Sequence, residues 1–514
     1  MNTSLGVIAA GHEATAQAGE DILRAGGNAY DAALAALATA CVAEPVLASM
    51  AGGGFMLASP NDAKPVIYDF FVQTPSQKRP QNEIDFHEIT ADFGTTQQEF
   101  HIGMASAAVP GQIRGMFEIH KDLCSMPIKE IFAPAIKYAR EGVKTNEFQA
   151  FLFTVVKAIF LTGDDLKTTF GSQKEPDKLT LAGEIVRQPA LADFFETLAI
   201  EGPDLFYRGE IAQKISQDMK DGGLLTARDF ESYKVIKRKP LTMKYKDVLV
   251  EMNTPPSAGG TLVALGLKLL EDQALENLEP GSEEHLMRLT AVLNKTIEAR
   301  VALEAANHKD REAMVFDENF LTQYRDKIIG TSKSPRGTTH LSVIDKDGNM
   351  AGITVSNGEG CHYVVPGTGV IMNNMMGEED LNPGGFHAWT PNTRLSSMMN
   401  PTALLWPDGR RASFGTGGSN RIRTAILQLI INLIDFNMSV ENAAAFPRLH
   451  MEENQLYIEG GFSADLNTLL NTYPNHTRFD ERNMFFGGTH VAELDKGEFH
   501  GTGDPRRAGV CRVV

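Results

Sequence analysis

Apolar residues recur at helical spacing over residues 14–25, and Gly26-Gly27-Asn28 follows. That period predicts an amphipathic helix closed by glycine. Residues 31–43 are mostly alanine. Small apolar side chains around the whole circumference predict a helix packed on every side. Ala51-Gly-Gly-Gly-Phe-Met predicts a close backbone approach leading into a strand over 55–58. Residues 60–105 show no sustained period and read as polar and irregular. A helix is expected over 134–141, with Pro134 in its first turn, where its missing N–H costs little. Residues 145–235 carry several amphipathic stretches and read as mainly helical. Asn253-Thr-Pro-Pro-Ser-Ala-Gly-Gly is a loop before a helix over 261–271, and helices continue to about 310. From 338 onward short strands dominate, with one helix over 423–435. A helix-rich part followed by a strand-rich part predicts an α+β fold of sheets covered by helices.

The run from Gly337 to Asn357 carries the most information. Two β-rich stretches flank Lys346-Asp347-Gly348-Asn349. Asp-Gly between such stretches predicts a type I′ hairpin, in which both central residues have positive φ. Centred on Asp347-Gly348, the hairpin sets Thr339 opposite Ser356 and Thr338 opposite Asn357. A hydroxyl is a poor nucleophile at neutral pH without a base beside it. A threonine made the first residue of a chain gains one, because its own α-amine has a pKa of about 7.7–8.0. Gly337 suits such a cleavage, since glycine puts no side chain beside the scissile carbonyl. Taken alone, Thr338-Thr339 reads as an ordinary β-rich strand start.

Composition narrows the field. Of 514 residues, 42% are hydrophobic and 22% charged, as in a globular protein. The 48 lysines and arginines face 65 acids, a net charge of -17. Such a surface argues against nucleic acid or an anionic membrane as partner. Four cysteines without a CxxC pair build neither a disulfide framework nor a zinc site. No Walker motif, GxGxxG or HExxH is present, so no cofactor or metal is expected. Read from Met1, the chain shows no basic stretch followed by an apolar core, and no apolar run of spanning length. A cytoplasmic location is the expectation.

Several segments then fall in a telling order: Gln17 to Ala33 (QAGEDILRAGGNAYDAA), Glu44-Pro45, Gly52-Gly-Gly-Phe-Met, Val109-Pro-Gly, Pro255-Pro-Ser-Ala-Gly-Gly, Thr338-Thr-His, Asn373-Asn374, Leu395-Ser-Ser-Met, Gly417-Gly-Ser and Asp504-Pro-Arg. In these the chain resembles, over nearly its whole length, the γ-glutamyltranspeptidase family of the N-terminal nucleophile hydrolases. The resemblance implies a four-layer αββα sandwich and a precursor that cuts itself between Gly337 and Thr338. Residues 1–337 and 338–514 would remain one interlocked domain, a heterodimer of two fragments open to further dimerisation. Thr338 would be the nucleophile and, through its α-amine, the base. Ser356 and Asn357 would orient it, and Gly417 and Gly418 would form the oxyanion hole. Ser396 and Ser397 would hold the substrate α-carboxylate, and Glu378 its α-ammonium.

The chain also departs from the family pattern. Phe71 stands where members carry a carboxylate-clamping arginine, and Met375 replaces a glutamine. Asn357 lies one place before the family asparagine, and the stretch 378–396 is short beside lidded members. Arg394 is the nearest candidate for a replacement clamp. His340, two residues from Thr338, reads as a structural hydrogen-bonding group. The expected function is a γ-glutamyltransferase or glutathione hydrolase-like enzyme acting on small γ-glutamyl amides, with water or an amino acid as acceptor and no cofactor. The alternative is an acylase for glutaryl-like or other acyl amides, and a third reading is a non-processing binding protein.

Overall fold

The protein is seen in a computed structural model that describes residues 4–92, 97–271, 273–306, 308–325, 337–382, 384–452 and 454–514. Among the described residues two large sheets carry the fold. Their strands are, in chain order, β1 (Gly6–Ala10), β2 (Gly53–Ser59), β3 (Val66–Phe70), β4 (Ile236–Arg238), β5 (Leu241–Tyr245), β6 (Val248–Met252), β7 (Thr339–Asp345), β8 (Met350–Ser356), β9 (Thr402–Leu405), β10 (Arg411–Gly417), β11 (Gly488–Asp495), β12 (Glu498–Thr502) and β13 (Val510–Val513). One sheet runs β13-β1-β7-β8-β2-β3-β4 and the other β12-β11-β10-β9-β6-β5, antiparallel throughout.

The sheets lie face to face, with β7 and β8 against β10, and β1 and β7 against β11. Helices α1 (Glu13–Arg24) and α2 (Ala29–Ala43) lie on the first sheet, and α3 (Ile128–Glu141) packs on α2. Helices α4 (Gly259–Leu270), with α5 (Glu283–Ala305) packed on it, and α6 (Arg421–Ile434) lie on the second. This is the expected αββα sandwich, a layering in which every apolar sheet face finds a partner. Every residue of α2 is buried. Its N-terminus is fixed by a capping box between Asn28 and Asp31.

Three expectations need correction. Strands occupy Val66–Phe70, His87–Asp92 and Gln97–Ile102, inside the segment read as irregular. Val66–Phe70 is ordered by pairing with β2 and β4, and the two more polar strands pair with each other. Pro134 lies inside α3, which begins at Ile128 after Pro127. Packing of Ile131, Phe132, Ala135 and Ala139 carries the helix past the hydrogen bond that proline removes. Finally, β1 to β6 all precede residue 338, so both sheets draw strands from both sides of that point.

Alternation along β7 sorts its chemistry. Leu341 and Val343 pack with α2, whereas Ile344 belongs to the core between the sheets. Even-numbered residues of β7 therefore face the second sheet and odd-numbered ones the helices. Among the described residues no helix is long and apolar enough to cross a membrane.

Candidate active site

The hairpin forms, but with a register one step from the predicted one. Thr339 pairs with Val355 and Ile344 with Met350, which sets Thr338 opposite Ser356. The turn explains the difference. Gly348 N–H donates to the Asp345 carbonyl at 2.9 Å, and within the turn only Gly348 has positive φ, +80°. One left-handed glycine after a tight turn needs a longer loop than a type I′ pair. The Asp345 carboxylate holds that loop by accepting from the N–H groups of Asp347 and Asn349, each at 3.0 Å. It also accepts from the N–H of Ala29 at 3.0 Å, tying the turn to the start of α2.

Thr338 and Thr339 consequently point in opposite directions. Thr339 Oγ1 donates to Glu44 at 2.8 Å, under the helical layer, and Thr15 donates to the other Glu44 oxygen at 2.8 Å. Burial raises the Glu44 carboxyl above its ordinary range, against these two hydrogen bonds and the Arg507 charge. Thr338 lines a pocket. Ser356, Glu378, Ser396 and Ser397 line the same pocket, together with Phe71 and Met375.

The bond between residues 337 and 338 sits in this wall. Ser356 Oγ donates to the Gly337 carbonyl at 2.5 Å and accepts from Gly358 N–H at 3.0 Å. The Thr338 carbonyl accepts from Arg507 at 3.0 Å. Burial lowers the Arg507 pKa to about 10, with Asp504 opposing, so the guanidinium stays charged at neutral pH. Gly417 ends β10 directly against this strand: a Cβ there would stand 1.9 Å from the Thr338 carbonyl oxygen. Gly418 follows with φ +125°, a conformation only glycine adopts readily. Gly417→Ala is expected to push β7 and β10 apart and to abolish appearance of a new Thr338 terminus, checked by mass spectrometry of the purified protein.

Three sequence-derived residues lie elsewhere. Arg394 does not enter the pocket. It is buried beside Asp69 at 3.4 Å, donates to the Lys234 carbonyl at 2.6 Å, and hydrogen-bonds the Phe71 carbonyl and the Tyr233 hydroxyl. A guanidinium so committed fixes the backbone around Phe71 and cannot serve as a substrate clamp without breaking that network. Asn357 is buried outside the pocket lining, and its side-chain amide makes no hydrogen bond among the described residues. His340 is buried between Thr354 and Ser342, each at 2.8 Å, and burial with the nearby His490 holds it neutral.

Phe71 is itself buried, stacked on Phe55 with ring centroids 5.5 Å apart, and lines the pocket. The pocket's cation among the described residues is Arg300 on α5, which donates to Asn420 at 3.0 Å. Sequence reasoning missed Arg300, Arg507 and Glu44 as site residues. Glu44-Pro45 and Asp504-Pro-Arg did carry a signal, since acids and arginines in apolar settings must be paired to be buried.

Comparison with known proteins extends this geometry. The model of the Gamma-glutamyltranspeptidase family matches residues 15–514. The chain belongs to that family. As a member it is a hydrolase or transferase enzyme. It is 29% identical over 536 residues to the glutathione hydrolase proenzyme of Escherichia coli (strain K12), covering 98% of this chain and 90% of that one. It is 29% identical over 476 residues to the acylase ACY 1 proenzyme of Pseudomonas sp. (strain SE83), covering 89% and 84%. The crystal structure of cephalosporin acylase from Bacillus halodurans superposes with a TM-score of 0.85 at 24% identity, over 99% of this chain and 96% of that one. That likeness concerns the fold.

Proposed function

We propose that this family member is a self-processing amide hydrolase and acyltransferase that cleaves γ-glutamyl amides through an ester on Thr338. The observation that carries the reading is the position of Thr338, set on the pocket side of β7 opposite Ser356 and against Gly417. Cleavage after Gly337 would free the Thr338 α-amine. That amine takes the hydroxyl proton as Oγ1 bonds to the substrate carbonyl carbon, and the oxyanion is stabilised by the backbone N–H groups at Gly417 and Gly418. The C–N bond breaks as the proton passes to the leaving amine. Water or an amino acid then attacks the ester and restores the hydroxyl. Ser396 and Ser397 meet the α-carboxylate, and Glu378 meets the α-ammonium. The name of the Escherichia coli relative supports glutathione as the first substrate to try.

A second reading has its own observation. Phe71, Met375, Leu381, Met398, Met399 and Ile422 make much of the wall apolar, and no arginine stands at position 71. Such a wall suits a glutaryl-like or other acyl group, as the name of the acylase relative also suggests. The two readings separate on rates with a γ-glutamyl anilide and a glutaryl anilide. The first reading expects kcat/KM to favour the γ-glutamyl compound by about tenfold or more, as ion-paired recognition of the ammonium would give. The reverse preference assigns the enzyme to the acylases. A purified protein that stays in one piece and turns over neither compound would support the binding-protein reading.

A further inference from the structure

The residue on the acyl side of the proposed cut, Gly337, is held at both of its backbone polar groups. Its carbonyl accepts from Ser356 at 2.5 Å, as described. Its N–H donates to the Glu359 carboxylate at 3.3 Å. Glu359 is buried, 3% exposed, and is itself anchored by Asn374. The Glu359 N–H donates to Asn374 Oδ1 at 2.9 Å, and Asn374 Nδ2 reaches Glu359 Oε2 at 3.5 Å. Both grips on Gly337 thus come from one short segment, the last residue of β8 and the loop 357–359 that follows it.

The loop has a reason for this form. Gly358 has φ +63°, and a Cβ there would stand 2.0 Å from Asn374 Oδ1 and 2.5 Å from Glu378 Oε1. No side chain fits at 358 without displacing Asn374 or Glu378. Gly337 is also tight: a Cβ on it would meet the Gly358 carbonyl at 2.9 Å.

We infer that Glu359 is a positioning residue for self-cleavage: its buried carboxylate holds the Gly337 N–H so that the Gly337 carbonyl stays fixed against Thr338 and Ser356. The inference rests on the reading of Thr338 as a self-cleaving nucleophile. In that step Thr338 Oγ1 bonds to the Gly337 carbonyl carbon and the bond to the Thr338 nitrogen breaks. The hydroxyl proton ends on that nitrogen, which becomes the α-amine. Water then adds to the ester, giving a Gly337 carboxylate and restoring the Thr338 hydroxyl. Glu359 takes no proton in this sequence. It supplies an acceptor for an N–H whose geometry sets the angle of attack.

This role is tested in the full-length chain by following the new Thr338 terminus with time by mass spectrometry. Wild-type protein that never cleaves defeats the reading of Thr338, whatever Glu359 does. If wild type cleaves, Glu359→Met, which fills the space without an acceptor, is expected to slow cleavage by about tenfold or more. Glu359→Gln keeps an acceptor oxygen and is expected to restore a rate within about threefold of wild type. A Met variant cleaving at the wild-type rate overturns the inference, and so does a Gln variant as slow as Met. Should the Met variant fail to fold, Glu359→Asp carries the test, because it withdraws the carboxylate by one methylene. Slowed cleavage then supports the role, and a wild-type rate overturns it.

Discussion

Thr338→Ala is expected to leave one 514-residue polypeptide and to lower amide turnover by about a thousandfold or more. The size follows from what the residue is asked to do. One hydroxyl would serve as nucleophile in maturation and again in turnover, and the α-amine that activates it would exist only after maturation. Removing it therefore removes nucleophile and base together, a pair whose losses do not add. Thr338→Ser retains the hydroxyl and should still divide the chain, at a lower rate. Denaturing electrophoresis with mass spectrometry of each band reads both variants. Two bands from the alanine variant would end the assignment of Thr338, and with it the roles given to Ser356, Gly417 and Gly418.

Asp504→Ala is expected to destabilise the fold by about 3–5 kcal/mol, the range for stripping a buried charge network of one partner. Asp504 accepts from Arg448 at 2.7 Å, from Arg506 at 3.2 Å and from the N–H of Thr489 at 2.9 Å. Arg506 is bound in turn by Glu459 at 2.6 Å. Without Asp504 two buried guanidiniums lose their shared anion, and the turn that carries Arg507 to the Thr338 carbonyl loses its cap.

The same carboxylate gives a pH signature. Burial by itself would raise its pKa, but Arg448, Arg506 and the N–H groups of Arg506 and Thr489 outweigh burial and hold it at about 2. A folded value below the unfolded one means stability that is present in full above the ordinary carboxylate range and lost as pH falls towards 2. The contribution is roughly 2 kcal/mol. The gap between the thermal midpoints of wild type and Asp504→Ala should narrow, without closing, from pH 6 to pH 3, because the variant lacks the group that titrates. A constant gap across that window would contradict the account.

Much of the site was legible because its signals are local. Period-two alternation around an Asp-Gly turn marks β7 and β8, and the same alternation requires that of Thr338 and Thr339 only one face the cleft. Register is less local. The loop at 346–349 takes its length from the Asp345 carboxylate, which also reaches the start of α2, and that longer loop moved Ser356 opposite Thr338. Arg394 misled for a similar reason. Its sequence neighbours are the pocket serines, yet its partner is Asp69, brought beside it by the first sheet.

The amino-acid sequence by itself determined that the chain is a helix-covered α+β sandwich of this family, that Thr338 begins a strand after a glycine, and that no arginine stands at position 71. Those features are written in neighbouring residues, where spacing and side-chain type suffice. Only the tertiary structure decided what surrounds that threonine: Arg507 on its carbonyl from 169 residues away, Glu44 on Thr339 from 295 away, and Glu359 on Gly337. Charges are buried only where folding supplies a partner, and that partner's place in the sequence is free to be anywhere.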